Sequence, residues 1–319
     1  MRVVVASSQL LVHKLLSYFV VGIVLIVYNI DMKKIKVLGA VLFCLLSSVI
    51  FVGCDFGAGN ANNGDMTWVI KSNYNNVVSV VARFGGVESR GTGVLIREGG
   101  YIATNAHVIT RTTPGIMGPN HEVSREIKIE FWTDDHYNGN HTNGADYTIT
   151  LTPNYNVANG TDPNSRILYW NINEDLAILK CVTDDMPNDY KNKSAVIRNS
   201  APDASPLKMG EPIAALGYAS GKYYLCTVGV VTMVYGDGLN AFKGETEENG
   251  ALVEKNIEYA ILHDATIIPG NSGGPVFDSS GKCIGLNTLV ISNQITSGEL
   301  YVALSSRTIL SKMAALGIL

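Results

Sequence analysis

Charge is the scarcest property of this chain. Asp, Glu, Lys and Arg make up 16% of its 319 residues. The first 53 residues hold Arg2, Lys14, Lys33, Lys34 and Lys36 against Asp31 alone, a net +4; the whole chain carries −4, so the remainder carries −8. An acidic body without a cluster of Lys and Arg excludes nucleic acid as a partner. Cysteine is also sparse: there are five, none at the spacing of metal ligands, so a cysteine-built metal site is not expected. Helical periodicity is nearly absent and no internal repeat is legible, although a duplicated barrel would hide one at this level.

What remains is 46% hydrophobic, enough to bury a sizeable core in one large domain or two small ones. Short β-rich runs separated by Gly, Asn and Asp read as strands: 77–84, 92–96, 127–132, 147–152, 176–180, 212–217, 227–234, 259–265 and 283–291. Many short strands indicate an all-β barrel or sandwich. A helix is expected only at the end, in "SSRTILSKMAALGIL", with Ser305 or Ser306 as N-cap and Ile309, Met313 and Leu316 on one face. Two stretches, 110–166 and 237–256, read as long loops.

Ahead of this body, "MKKIKVLGAVLFCLLSSVIFVGCD" has a basic start, an apolar run and a small residue before cysteine. It resembles a bacterial lipoprotein signal ending at Val52-Gly53-Cys54, with Phe51 in place of the usual Leu. The organisation expected is therefore an upstream extension (1–31), a signal peptide (32–53), a polar tether (54–66) and one domain (67–319), with Cys54 lipidated and the chain held at a membrane. An uncleaved membrane anchor is the alternative. Cys181, Cys226 and Cys283 are left to the domain, where the default is that they are small core residues.

One serine stands out. In "IIPGNSGGPVFD" three glycines, a proline and an asparagine surround Ser272. A tight β-turn is one reading; a loop presenting a nucleophile, with backbone N–H groups converging beside it, is the other. A nucleophilic serine needs a base. Of six histidines, His13 lies in the leader, His121, His136 and His141 in a polar loop, and His263 in a strand pattern that suits a structural histidine. His136 and His141, beside Asp134 and Asp135, do not make a convincing metal site. His107 follows a strand and a polar turn.

The segment that carries it, "RGTGVLIREGGYIATNAHVI" (90–109), closely resembles the start of trypsin-like serine proteases of the HtrA/Deg kind. The resemblance continues at "EDLAILK" (174–180), at "PLKMGEPIAALGYASG" (206–221), at "TVGVVTMV" (227–234) and at "HDATIIPGNSGGPVFDSSGKCIGLNT" (263–288), and covers nearly all of residues 75–316. It implies a chymotrypsin-like double six-stranded β-barrel with a C-terminal helix, and a serine endopeptidase that needs no cofactor and acts on protein or peptide substrates. His107, Asp175 and Ser272 would be the catalytic triad, in that order, and the N–H groups of Gly270 and Ser272 the oxyanion hole. The P1 pocket would be lined by Thr266, Ile267 and Ile268 and by Asn287, Thr288, Leu289 and Val290, an uncharged slot that suits small or medium aliphatic residues.

The chain departs from the family pattern in three ways. Both intervals between triad residues are long, which marks insertions. Only Ala315–Leu319 follow the terminal helix, so PDZ-based recognition is not carried over. Residues around Trp68–Tyr74 have aromatics but not the family's trimer-forming pattern, which leaves monomer and homo-oligomer both open. A rival reading from another class is a catalytically silent or zymogen-like barrel acting as a surface binding lipoprotein.

Overall fold

β-Branched and other apolar residues at alternating or successive positions, interrupted by turn-forming Gly and Asn, fold more than half of the described residues into antiparallel strands. The computed structural model describes residues 66–116, 118–132, 145, 147–151, 167–199, 206–219, 223–235, 242–292 and 299–319. The leader, Cys54, the tether up to Asp65, His136 and His141 lie outside them, and Met66, expected as the end of the tether, is helical. Among the described residues no helix is long and apolar enough to cross a membrane.

The first half begins with helix α1 (Met66–Asn73), followed by β1 (Val77–Phe84), β2 (Val87–Arg97), β3 (Tyr101–Thr104) and a single helical turn, α2 (Ala106–Ile109). Then come β4 (Thr110–Thr113), β5 (Asn120–Val123), β6 (Glu126–Phe131), β7 (Tyr147–Leu151), β8 (Ile167–Asn171), β9 (Leu176–Lys180) and α3 (Asn188–Lys191). Seven of these strands form one antiparallel sheet in the order β7-β6-β1-β2-β3-β9-β8, while β4 and β5 make a separate hairpin. The second half contains β10 (Pro212–Ala219), β11 (Tyr223–Val234), β12 (Phe242–Glu248), β13 (Ala251–Ile257), β14 (Ala260–His263), β15 (Pro275–Asp278), β16 (Cys283–Ser292), β17 (Glu299–Ser305) and α4 (Ser306–Ala315). Six of them close a barrel in the order β10-β11-β14-β17-β16-β15, and β12 and β13 form a second separate hairpin.

The fold class expected from the sequence is the one found. The detail differs in the first half, where the described strands make a seven-stranded sheet whose ends are not paired to each other. Each half has its own interior. Val80, Leu95, Ile102, Ile129 and Leu179 fill the first, and Ile213, Val231, Ile261 and Val276 the second. A third cluster joins the halves: Val94, Ile96 and Leu176 meet Leu216, Phe277, Leu286 and Leu304, and Trp132 stacks on Tyr218 with ring centroids 4.3 Å apart. Each fully buried Leu or Ile contributes about 1.5–3 kcal/mol, so this shared core holds the two halves in the fixed relation that a site built from both requires.

The terminal helix starts as expected, with the Ser305 hydroxyl accepting the Arg307 N–H and Ile309 and Met313 buried. The strand expected over 259–265 stops at His263, because the Asp264 carboxylate takes the Val230 N–H at 2.7 Å. The two stretches read as long loops contain the hairpins β4–β5 and β12–β13. The aromatic segment at Trp68 is helix α1, pinned to the second half by Asn73, whose Nδ2 donates to Gly281 O at 3.2 Å. The three described cysteines form no disulfide among the described residues; burial pushes Cys226 up to about 11 and Cys283 to about 12, as suits apolar packing residues.

Candidate active site

The two halves meet at a seam, and His107, Asp175 and Ser272 come to it from three different turns. His107 lies on α2, directly after β3. Its backbone N–H donates to Asp175 Oδ1 at 3.1 Å, and its ring Nδ1 lies 2.8 Å from Asp175 Oδ2 and 3.0 Å from Oδ1. A carboxylate only accepts, so Nδ1 carries the proton and the lone pair of the neutral ring sits on Nε2. The imidazole is 26% exposed, whereas the Asp175 side chain is wholly buried.

Asp175 stands in the turn between β8 and β9 with φ +57°, a left-handed conformation unusual outside glycine but commonest for Asp and Asn. Two devices hold it there. The Asn171 side chain accepts the N–H groups of Asn173 and Glu174, and Asn105 Nδ2 donates to Asp175 O at 2.9 Å. Its carboxylate also accepts the Thr288 hydroxyl, and Lys255 Nζ at 3.4 Å. Burial alone would push this carboxyl up; the charges of His107 and Lys255 and the hydrogen bonds from His107 and Thr288 outweigh it, holding the group well below the ordinary aspartate range and ionised.

Ser272 follows a turn that explains the small residues around it. The Asn271 N–H donates to Ile268 O at 3.0 Å across Pro269 and Gly270, and Gly270 has φ +101°. Proline first and a positive-φ glycine second is the type II turn, and only glycine takes the second position without strain. Gly273 has φ +80°, and a Cβ there would collide with Thr104 Oγ1 and Thr92 O. The backbone donors of the loop divide sharply. Asn271, Gly273 and Gly274 give their N–H groups to Ile268 O, Asn287 O and Asn271 O, whereas among the described residues those of Gly270 and Ser272 have no acceptor. Two neighbouring unpaired N–H groups are uncommon in a folded chain unless a ligand or water takes them.

Strand β2 stitches this loop to the first half. Thr92 N donates to Ser272 O at 2.8 Å, Thr92 Oγ1 donates to Gly270 O at 2.7 Å, and the same hydroxyl accepts Tyr218 N at 2.9 Å. Gly91 fits between α2 and the loop: a Cβ on it would come within 2.5 Å of Val108 and 2.9 Å of Ser272 O. The loop of the nucleophile candidate and the helical turn of the histidine candidate are thereby packed against the same glycine. Ser272 Oγ makes no hydrogen bond among the described residues, to His107 or to any other group.

The residues expected to line a substrate pocket fall into two sets. Asn287 and Thr288 are buried and committed: Asn287 accepts from His263 Nε2 at 3.0 Å and donates to Gly274 O, while Thr288 serves Asp175. Thr266, Ile268 and Val290 are exposed, and Ile267 and Leu289 half-buried. His263, brought down to about 4 chiefly by burial, is a neutral structural residue, stacked on Tyr301. Among the described residues no group of His, Cys, Asp and Glu could hold a metal ion. Thr288, expected from the sequence as a pocket residue, is instead a partner of the aspartate, and Asn105 and Lys255 are site residues that the sequence does not single out.

The family model described as trypsin-like peptidase domain matches residues 91–286. A "probable periplasmic serine endoprotease DegP-like" of Hahella chejuensis is 28% identical over 203 residues, covering 64% of this chain and 30% of that one. Its counterpart in Chlamydia pneumoniae is 30% identical over 203 residues, covering 64% and 29%. The chain thus spans under a third of the length of these relatives. Among solved structures, an HtrA-type protease, AlgW with tripeptide, superposes with a TM-score of 0.53 at 20% identity, over 79% of this chain and 63% of that one, a likeness of fold. By its family match and its fold, the chain belongs to the trypsin-like peptidases and is similar to those of the HtrA type.

Proposed function

We propose that this protein is a serine endopeptidase in which Ser272, His107 and Asp175 act as the triad. The observation that carries the reading is the pairing of a proton-fixed imidazole, held at Nδ1 by a buried carboxylate, with two unpaired N–H groups flanking the serine. In this reading a substrate carbonyl enters beside Ser272 and its oxygen takes the Gly270 and Ser272 N–H groups. Ser272 Oγ attacks the carbonyl carbon while His107 Nε2 accepts the hydroxyl proton. The imidazolium so formed is stabilised by Asp175, which stays ionised, and returns the proton to the leaving amine. Water then repeats the sequence to release the acyl group. The Oγ to Nε2 hydrogen bond forms in the Michaelis complex, as such bonds commonly tighten only with substrate in place. Each oxyanion donor is worth on the order of 3 kcal/mol in the transition state.

Specificity follows from what lines the seam. With Asn287 and Thr288 committed to the interior, Thr266, Ile267, Ile268, Leu289 and Val290 are left to meet a P1 side chain, and none is charged. A basic P1 residue would be desolvated there without a partner. The expected profile is a graded preference for Val, Ala, Ile and Leu, because a methylene changes discrimination by only ~1–3 kcal/mol. An unbiased peptide library digested by the purified protein and read by mass spectrometry tests this. A dominant Arg, Lys, Asp or Glu at P1 contradicts the pocket, and cleavage that persists after Ser272→Ala contradicts the peptidase.

We place the enzyme at a bacterial cell envelope, attached through a lipidated Cys54. The lipobox-like sequence and the periplasmic relatives support this reading. Two or three acyl chains give firm attachment, so release should require detergent. Recovery of an intact peptide spanning Phe51 to Cys54 from the membrane fraction would rule out processing.

A further inference from the structure

Strand β13 alternates strictly, burying Ala251, Val253, Lys255 and Ile257 and exposing the residues between them. Lysine is almost never buried unless paired, yet Lys255 is 1% exposed in a row of otherwise apolar inward positions. An apolar residue would fill that position without the cost of desolvating an ammonium. The charge is therefore to be explained by what it touches. Lys255 Nζ lies 3.0 Å from Glu248 Oε1 on the paired strand, 3.1 Å from Ile172 O, and 3.4 Å from Asp175 Oδ1. Glu248 is held in turn by the Thr112 hydroxyl at 2.7 Å.

The hairpin that carries this pair is docked onto the catalytic turns themselves. Val253 packs with Ala106, the neighbour of His107, and with Ile172, ahead of Asp175. Asn256 N donates to Asn173 O at 2.8 Å, and Asn249 Nδ2 donates to Thr112 O at 3.2 Å. Behind the imidazole there is thus a line of three charges: Asp175 negative, Lys255 positive, Glu248 negative.

We propose that Lys255, held by Glu248 on the β12–β13 hairpin, is a positioning residue that sets how strongly Asp175 acts on His107. The inference rests on the endopeptidase reading given above. As a donor to Oδ1, Lys255 fixes the carboxylate rotamer that presents Oδ2 to the imidazole. As a cation, it draws off part of the charge that would otherwise stabilise the imidazolium. Glu248 offsets that loss, so the line as a whole presents one net negative charge. Removing the lysine and removing the glutamate should therefore act in opposite directions, which a merely structural hairpin would not do.

Two readouts on the full chain test this, for Lys255→Met and Glu248→Gln. The first is the acid limb of the kcat/KM profile. It should move to higher pH by about half a unit or more in Lys255→Met and to lower pH in Glu248→Gln. The second is the far-downfield resonance of the His107 Nδ1 proton, recorded in a Ser272→Ala background. It should move further downfield when Lys255 stops competing for the carboxylate, and upfield when Glu248 no longer restrains the lysine. Resonances that coincide with those of the parent, or that move in the same direction in both variants, overturn the proposal. Because the resonance needs no turnover, an absence of hydrolysis in the unaltered protein would count against the endopeptidase reading alone. Glu248 is partly exposed and its glutamine keeps the shape, so that variant supplies a result even where Lys255→Met fails to fold.

Discussion

Ser272→Ala will lower peptide hydrolysis by about six orders of magnitude, and His107→Ala by a similar factor, because nucleophile and base act as one unit. The size of the effect follows from the chemistry of the hydroxyl; its separation from stability follows from the structure. Ser272 Oγ has no hydrogen-bond partner among the described residues, while the bonds that hold its loop use the backbone: Thr92 N to Ser272 O, Gly273 N to Asn287 O and Gly274 N to Asn271 O. Alanine leaves all of these in place. Thermal unfolding should therefore change by less than about 1 kcal/mol. Steady-state hydrolysis of a peptide with an aliphatic P1, beside a melting curve of the same sample, checks both halves. Retained proteolysis at even a tenth of the native rate would remove Ser272 from the mechanism.

Asp175→Asn should cost about four orders of magnitude in kcat, and here the structure predicts a stability loss as well. The carboxylate accepts from His107 N, His107 Nδ1, the Thr288 hydroxyl and Lys255. A carboxamide has one accepting oxygen, so its NH2 must face a donor. If it faces His107 Nδ1, the ring proton moves to Nε2 and the base loses its lone pair. If it faces Lys255, two donors oppose each other; and in either orientation the buried ammonium loses one of its two anions, where breaking a buried pair from one side costs about 3–5 kcal/mol. The pH dependence has a definite sign. A carboxyl held below its ordinary range adds stability that is complete above the ordinary aspartate value of ~3.9 and is lost only as pH falls towards the depressed folded value. That acid-side loss should be missing from Asp175→Asn, so the two melting curves should converge in strong acid and separate above it.

How much of this was legible beforehand depended on the kind of signal. Strands such as Val77–Phe84 and Pro212–Ala219, the latter expected over 212–217, showed themselves as short, near-continuous apolar runs bounded by turn residues, as strands covered on both faces are. The candidates His107, Asp175 and Ser272 could be picked out because each sits in a motif that resembles a known family's, and the structure gives a geometric reason for the neighbours in those motifs: Gly270 by its φ, Gly273 by its φ and by the backbone against it, Asn105 by the Asp175 carbonyl it holds. Thr288 was seen but misread. Its position after the nucleophile suggested a pocket wall, and nothing in the sequence says that its hydroxyl turns inward to Asp175. The hairpin β12–β13 was hidden by its own charge. Phe242–Glu248 offers one large apolar residue, and the clear alternation of Ala251, Val253 and Ile257 was interrupted by Lys255, the one inward residue that reads as a solvent position. A period-two scan that tolerated a single charge would have found the strand; its contact with Asp175 depends on a fold that brings residues 80 apart together.

The central claim is that Ser272 is a nucleophile activated by His107, and covalent trapping tests it most directly. A fluorophosphonate reacts only with a serine whose proton a neighbouring base can remove. The full chain treated with the probe, digested and sequenced by mass spectrometry should carry one adduct, on Ser272 in the peptide Ile267–Asp278, and the adduct should vanish in both Ser272→Ala and His107→Ala. An unmodified native protein, an adduct on another residue, or labelling that survives the loss of His107 would contradict it.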